Sequence, residues 1–181
     1  MQQAAEALSR LLRRPISIDV ADVWMSDRGL PAETTVGTCL GIYLGVSGAI
    51  DGGLLLTLSE SCGRWLSQQL LGAVTVEDLL AEPAGSTLKE VGNIIASAFL
   101  SSLDDQLDLC ALPAPPVLIR ATLAELLERC QPSRNEACLV VRTRLRGERT
   151  VADNLQAAIY LFPAAAAVES LLAQINRGGR E

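Results

Sequence analysis

Ser86-Thr-Leu-Lys-Glu90-Val-Gly-Asn93-Ile-Ile-Ala-Ser97-Ala-Phe-Leu-Ser101-Ser-Leu-Asp104 is the stretch around which the chain is organised. At about 100° per residue, Ser86, Glu90, Asn93, Ser97, Ser101 and Asp104 fall in one narrow stripe of a helix. Leu88, Val91, Ile95, Ala98 and Phe99 fall opposite and give that helix a face to bury. A solvated face usually carries Lys, Glu and Gln. This one carries small hydroxyls around one carboxylate and one carboxamide, so another protein surface can come close.

Working outward, residues 59–71 read as a second helix. Ser59 is its cap, Glu60 sits in its first turn and Gly72 ends it. Residues 36–46 and 51–58 read as a hairpin around Ser47-Gly48, and residues 2–13 as a helix stopped by Arg13-Arg14-Pro15. A strand begins at Ile16, and a loop covers residues 26–34. A short helical piece is expected at residues 76–80, and Glu82-Pro-Ala-Gly85 is a breaker before the central helix.

Beyond it, residues 114–121 form a strand with prolines at its entry, residues 123–130 a short helix and residues 131–135 a loop. Residues 138–145 and 151–161 make a second hairpin around Gly147. Pro163 is expected to open a last helix to about residue 175, with a disordered tail at 177–181.

The order helix, strand, hairpin, helix thus occurs twice, at about 1–72 and 86–176. A period near a hundred residues suggests two halves of a single domain over 1–181, related by a pseudo-twofold. The expected fold class is α+β, with about six mostly antiparallel strands packed with helices.

Composition narrows the function. The 181 residues are 49% hydrophobic but only 3% aromatic, so the core is aliphatic. The net charge of −6 and the lack of a basic, aromatic-rich patch argue against nucleic acid. There is no histidine, the commonest general base and metal ligand. Five cysteines without a CxxC read as small core residues in a reducing cytosol. Residues 34–50 carry no charge but four glycines, which suits a hairpin better than a membrane span. No signal peptide pattern opens the chain, so a cytoplasmic location is expected.

Two local readings compete for the central helix. Thr87-x-x-Glu90 is a capping-box pattern, in which Glu90 would only satisfy a backbone N–H. Asn93 in a helix interior is mildly unfavourable, which a purely structural reading leaves unexplained. Asp104-Asp105 with Asp108 lacks further metal ligands at useful spacing. Gly52-Gly53 reads as turn geometry rather than a phosphate loop.

The wider pattern Ser86-x3-Glu90-x2-Asn93-x22-Pro116 resembles the signature of the CheC/CheX/FliY family of response-regulator phosphatases. Leu88-Lys-Glu-Val-Gly-Asn-Ile94 is similar to that family's most recognisable string. The first half resembles it too, at Ala7-Leu-Ser-Arg-Leu-Leu12, Pro15-Ile-Ser-Ile-Asp-Val-Ala-Asp-Val23 and Ile50-Asp-Gly-Gly-Leu-Leu-Leu56. The resemblance implies a CheC-like fold and hydrolysis of the aspartyl phosphate of a CheY-like receiver domain. It implies Asn93 as the group that positions the attacking water and Glu90 as the partner of a receiver lysine. Ser86, Ser97 and Ser101 would form the docking face.

No cofactor of its own is implied, since the receiver brings its Mg²⁺. The resemblance also implies an alternative: a non-catalytic module that binds a CheD-type deamidase or serves as a flagellar-switch-like scaffold. Carrying Leu103 onto Leu8 puts the first-half asparagine before position 1, and Ala21 at the first-half proline position. One site is therefore expected. A first helix of that length is expected to leave Leu8, Leu11 or Leu12 exposed for a partner or a homodimer.

Overall fold

The computed structural model describes residues 2–13, 15–26, 37–72, 78–107, 110–130, 138–147 and 155–164. Among these residues four helices and seven strands succeed one another as α1 (Gln2–Leu12), β1 (Ile16–Ser26), β2 (Thr38–Gly48), β3 (Gly52–Ser59), α2 (Glu60–Leu71), α3 (Ala84–Leu107), β4 (Ala111–Pro113), β5 (Val117–Thr122), α4 (Leu123–Cys130), β6 (Cys138–Gly147) and β7 (Leu155–Pro163). The strands form one sheet in the order β1-β6-β7-β3-β2-β4, with β5 also on β2. Every described pairing is antiparallel.

The strand order reads the same from either end when β1, β2 and β3 are exchanged with β5, β6 and β7. Each hairpin thus receives its outer neighbour from the other half of the chain, β5 on β2 and β1 on β6. The α+β class holds. The described residues hold seven strands where about six were expected, the short Ala111–Pro113 continuing the edge as β4. Three residues ending in proline carry no alternation from which a strand can be read.

The helices divide between the two faces of the sheet. Leu54, Leu56 and Leu58 of β3 join Leu40, Ile42 and Leu44 of β2 in the core covered by α1, α2 and α3. Leu55, one residue out of phase, points the other way with Tyr160 and Phe162, under Leu123, Leu126 and Leu127 of α4. This is the period-two alternation of a strand buried on both sides. Gly52, at the hairpin, has φ +150, and a Cβ there would run into the Phe162 carbonyl oxygen, so the turn requires glycine.

Several boundaries match the sequence reading. Ser59 caps α2 by accepting a hydrogen bond from Cys62 N, and Gly72 at φ 82 closes it. Others differ. Pro163 is the last residue of β7, paired with Gly52, and the helix expected to follow it lies outside the described residues. A proline at a strand end gives up no ladder bond it needs, so both placements suit it. Residues 79–80 are a turn, with Leu80 N donating to Asp78 Oδ1 at 3.0 Å, rather than a helical piece. Leu8 and Leu12 are buried between α1 and its neighbours, and only Leu11 is left out, 37% exposed. The expected apolar surface on the first helix is therefore mostly absent. Residues 27–36, 73–77, 131–137, 148–154 and 165–181 lie outside the described residues, and with them all but Ser26 of the loop expected at 26–34, the start of the helical piece at 76–80, the loop at 131–135, the last helix and the tail.

Candidate functional site: a cleft between α3 and a broken edge strand

Ala84 begins α3 directly after Pro83, and three side chains organise its first turn. Glu82 Oε2 accepts from Ser86 N at 3.2 Å, while the Ser86 and Thr87 hydroxyls each donate to Pro83 O at 2.9 Å. Glu82 Oε1 also stands 3.8 Å from Lys89 Nζ. Hydrogen bonding from Ser86, with the Lys89 charge behind it, holds the Glu82 carboxyl below the usual range. The helix start is thus capped by Glu82, a residue the sequence pattern did not single out.

That removes the capping role proposed for Glu90. Thr87 already lies inside the helix, and Glu90 makes no hydrogen bond or ion pair with another described residue. Its side chain is exposed and that of Asn93 half-buried, likewise without a described partner. Helical residues three apart project from the same side, so the carboxylate and the carboxamide stand side by side.

The opposite side of α3 is held tightly against the sheet. Leu88, Val91 and Ile95 are buried in the main core. Gly92, next to Asn93, lies so close to β2 that a Cβ would come within 2.5 Å of Ile42 Cγ2. The helix therefore stands at a fixed height above the strand.

The facing wall comes from an edge strand broken by prolines. β5 runs along β2 from Thr122↔Thr38 to Val117↔Tyr43, and β4 resumes at Pro113↔Val46, one residue out of register. Only Ala114 N, donating to Gly45 O at 2.7 Å, bridges the break. Pro115 and Pro116 have no N–H to give the ladder. At the other edge, β1 slips by one residue against β6 between Val20 and Asp22, with Ala21 at the bulge. The same slip is taken up there without a gap.

Ser86, Lys89, Glu90 and Asn93 line one side of an open cleft of about 490 Å³, and Pro113, Ala114, Pro115 and Pro116 line the other. Four residues of the spaced pattern, including Pro116 from 23 positions beyond Asn93, meet here. Ser97 and Ser101 do not. They continue the stripe along α3, half-buried and exposed respectively, outside the cleft. Near its far end, Asp105 Oδ2 accepts from Gln3 Nε2 of α1 at 3.3 Å.

Chemically the cleft offers a carboxylate, a carboxamide, a hydroxyl and one ammonium. No thiol lines it. Burial pushes the Cys62 thiol up to about 12 and the Cys130 thiol to about 11, which keeps both protonated and unreactive at neutral pH. Cys39, Cys62, Cys110 and Cys130 are free; Cys62 and Cys130 are buried as expected, but Cys39 is half-buried and Cys110 exposed. Among the described residues no cluster of His, Cys, Asp and Glu is arranged to hold a metal. No helix among them is long and apolar enough to cross a membrane.

No family model matches the chain. Over 175 residues it is 24% identical to a protein of Halobacterium salinarum named "Putative CheY-P phosphatase CheC1", covering 95% of this chain and 87% of that one. Its fold is that of Thermotoga maritima FliY, with a TM-score of 0.76 at 18% identity over 97% of this chain and 89% of the other. A chain of the Borrelia burgdorferi CheX–CheY–BeF3–Mg²⁺ complex superposes with a TM-score of 0.52 at 19% identity, covering 90% and 94%.

The class is therefore CheC-like by architecture. The resemblance to the CheC/CheX/FliY family read from the spaced motif holds, over nearly the whole chain.

Proposed function

We propose that the chain is a phosphatase that removes the aspartyl phosphate from a CheY-like receiver domain, docking the Ser86–Asn93 end of α3 onto the receiver's active site. The observation that carries this reading is the pair Glu90 and Asn93, unpartnered by described residues and facing Pro116 across a cleft, while Glu82 does the capping. A relative named as a CheY-P phosphatase supports it.

Hydrolysis of an acyl phosphate needs little covalent help. It needs a water in line with the breaking P–O bond and a neutralised phosphoryl group. The receiver brings its own Mg²⁺ as part of the substrate. Asn93 accepts a hydrogen bond from the attacking water through its carboxamide oxygen and donates through its NH₂, without adding a second negative charge. Water oxygen bonds to phosphorus, the bond to the aspartyl oxygen breaks, and the carboxylate leaves. Glu90 pairs with the receiver's active-site lysine and orients the docked helix. Ser97 and Ser101 keep the flank low enough for the receiver to lie along α3.

The test is the decay of a phosphorylated, Mg²⁺-bound receiver from the same organism, with and without this protein, beside Asn93→Ala. Faster decay that the substitution removes supports the reading. Stable complex formation without acceleration replaces it with a non-catalytic binding module.

A further inference from the structure

Ser86, Lys89, Glu90 and Asn93 stand at i, i+3, i+4 and i+7 along α3, so all four project from one side of the helix. Lys89 lies one turn before Asn93 and is the one positively charged side chain among the described residues that line the cleft. Its ammonium is not spent on the neighbouring Glu90. It stands 3.8 Å from Glu82 Oε1, with the two side chains 39% and 64% exposed. An ion pair that long and that open to water holds its lysine weakly. Glu82 also accepts from Ser86 N at 3.2 Å through Oε2, so it stays hydrogen-bonded when the lysine leaves. The flexible four-carbon stem then lets Nζ turn into the cleft.

We propose that Lys89 is the phosphoryl-binding cation of the cleft, leaving Glu82 on docking to hold a non-bridging oxygen of the receiver's phosphoryl group beside the water on Asn93. This rests on the phosphatase reading and adds a third group to it. Electrostatics supply the reason. The chain has a net charge of −6, and docking brings the Glu90 carboxylate towards a phosphoryl group that is itself anionic. Like charges at close range repel, and more strongly once water is excluded. Glu90 engages the receiver's lysine in that arrangement, so a cation from this side of the interface offsets the charge on the phosphoryl oxygens. Lys89 stays an ammonium throughout and moves no proton. The water oxygen bonds to phosphorus, the bond to the aspartyl oxygen breaks with its electron pair on the carboxylate, and both water protons end on the phosphate.

The experiment measures turnover and binding in the wild type, Lys89→Met, Lys89→Gln, Lys89→Arg and Glu82→Gln. Turnover follows decay of the phosphorylated, Mg²⁺-bound receiver, and binding compares the BeF3-activated receiver with the unmodified one. Lys89→Met and Lys89→Gln are expected to lower kcat/KM by about tenfold, less than loss of a rigidly held donor because the stem is flexible. Lys89→Arg should recover most of it. The preference for the BeF3-activated over the unmodified receiver should shrink by a similar factor in Lys89→Met, which a lysine acting only on the helix start would leave alone. Glu82→Gln keeps an acceptor for Ser86 N and removes the charge, so its turnover should stay at the wild-type level. Thermal melts report whether each variant is folded. Unchanged kcat/KM in a folded Lys89→Met or Lys89→Gln overturns the inference, as does an unchanged preference for the BeF3-activated receiver or a loss that Glu82→Gln reproduces. A wild-type protein that does not accelerate receiver decay overturns the phosphatase reading instead, and the binding preference still decides whether Lys89 meets the phosphoryl group.

Discussion

Thr-x-x-Glu stands near the starts of both α3 and α4, and the two end differently. At α4, Thr122 and Glu125 close a reciprocal box: Thr122 N donates to Glu125 Oε2 at 2.9 Å and Glu125 N donates to Thr122 Oγ1 at 3.3 Å. At α3, Thr87 and Glu90 form no such box. The helix begins three residues earlier, Glu82 takes the orphan N–H, and Thr87 turns its hydroxyl to Pro83 O. The four-residue pattern is the same, but one glutamate closes a helix and the other is released towards a cleft. What decides between them is the turn before the helix, not the pattern itself.

The contrast is broken or sharpened by substitutions at both helices. The largest effect is expected at Asn93. Asn93→Ala should lower receiver-phosphate turnover by ~10²–10³-fold, about 3–4 kcal/mol of barrier, with the melting temperature unchanged. Glu90→Ala should raise KM for the receiver by about tenfold and also leave stability alone. A drop in melting temperature in Glu90→Ala would return Glu90 to the role that Glu125 has.

Gly92→Ala probes the support beneath the pair. Its Cβ would press on the buried Ile42, and the cost of about 1–3 kcal/mol of overpacking outweighs the helix-propensity gain of up to about 1. Chemical denaturation measures it.

Smaller still, Glu125→Ala should lower the melting temperature by a few degrees at most and leave turnover intact. The hydrogen bonds from Thr122, backbone first, hold the Glu125 carboxyl below its ordinary value of 4.5. A carboxyl depressed in the folded state contributes stability above the unfolded value, and that stability is lost as the pH falls through the folded one. Glu125→Gln should therefore flatten part of the loss of stability below about pH 4.5. Parallel melts of the wild type and Glu125→Gln from pH 3 to pH 7 measure it.

Much of the fold was legible because it depends on local periodicity. The alternation of Leu54 to Leu58, the Ser59 cap, the Gly72 stop and the helical stripe of α3 are each written within a few residues. The elements that escaped depend on distant partners. β4 is a strand only because the end of β2 lies beside it. Pro163 ends a strand because Gly52 pairs with it, though a proline there reads equally well as a helix start. Leu8 and Leu12 are buried because α3 runs past them, which the length of α1 alone did not reveal.

The site divides in the same way. Glu90, Asn93 and Pro116 were picked out together by the resemblance of the longer spaced pattern, not by helical spacing alone. Glu82, Lys89 and the proline gap in the edge strand became visible only in three dimensions. Ser97 and Ser101 lie on the stripe but outside the cleft, since helical phase fixes a direction and not a distance from the facing wall.

The central claim is that the released pair on α3 is catalytic. Its most direct test is the decay rate of a phosphorylated, Mg²⁺-bound receiver with wild-type protein and with Asn93→Ala at equal concentration. The account predicts acceleration by the wild type and near-intrinsic decay with the variant, both proteins melting at the same temperature. Equal acceleration by the two would contradict it.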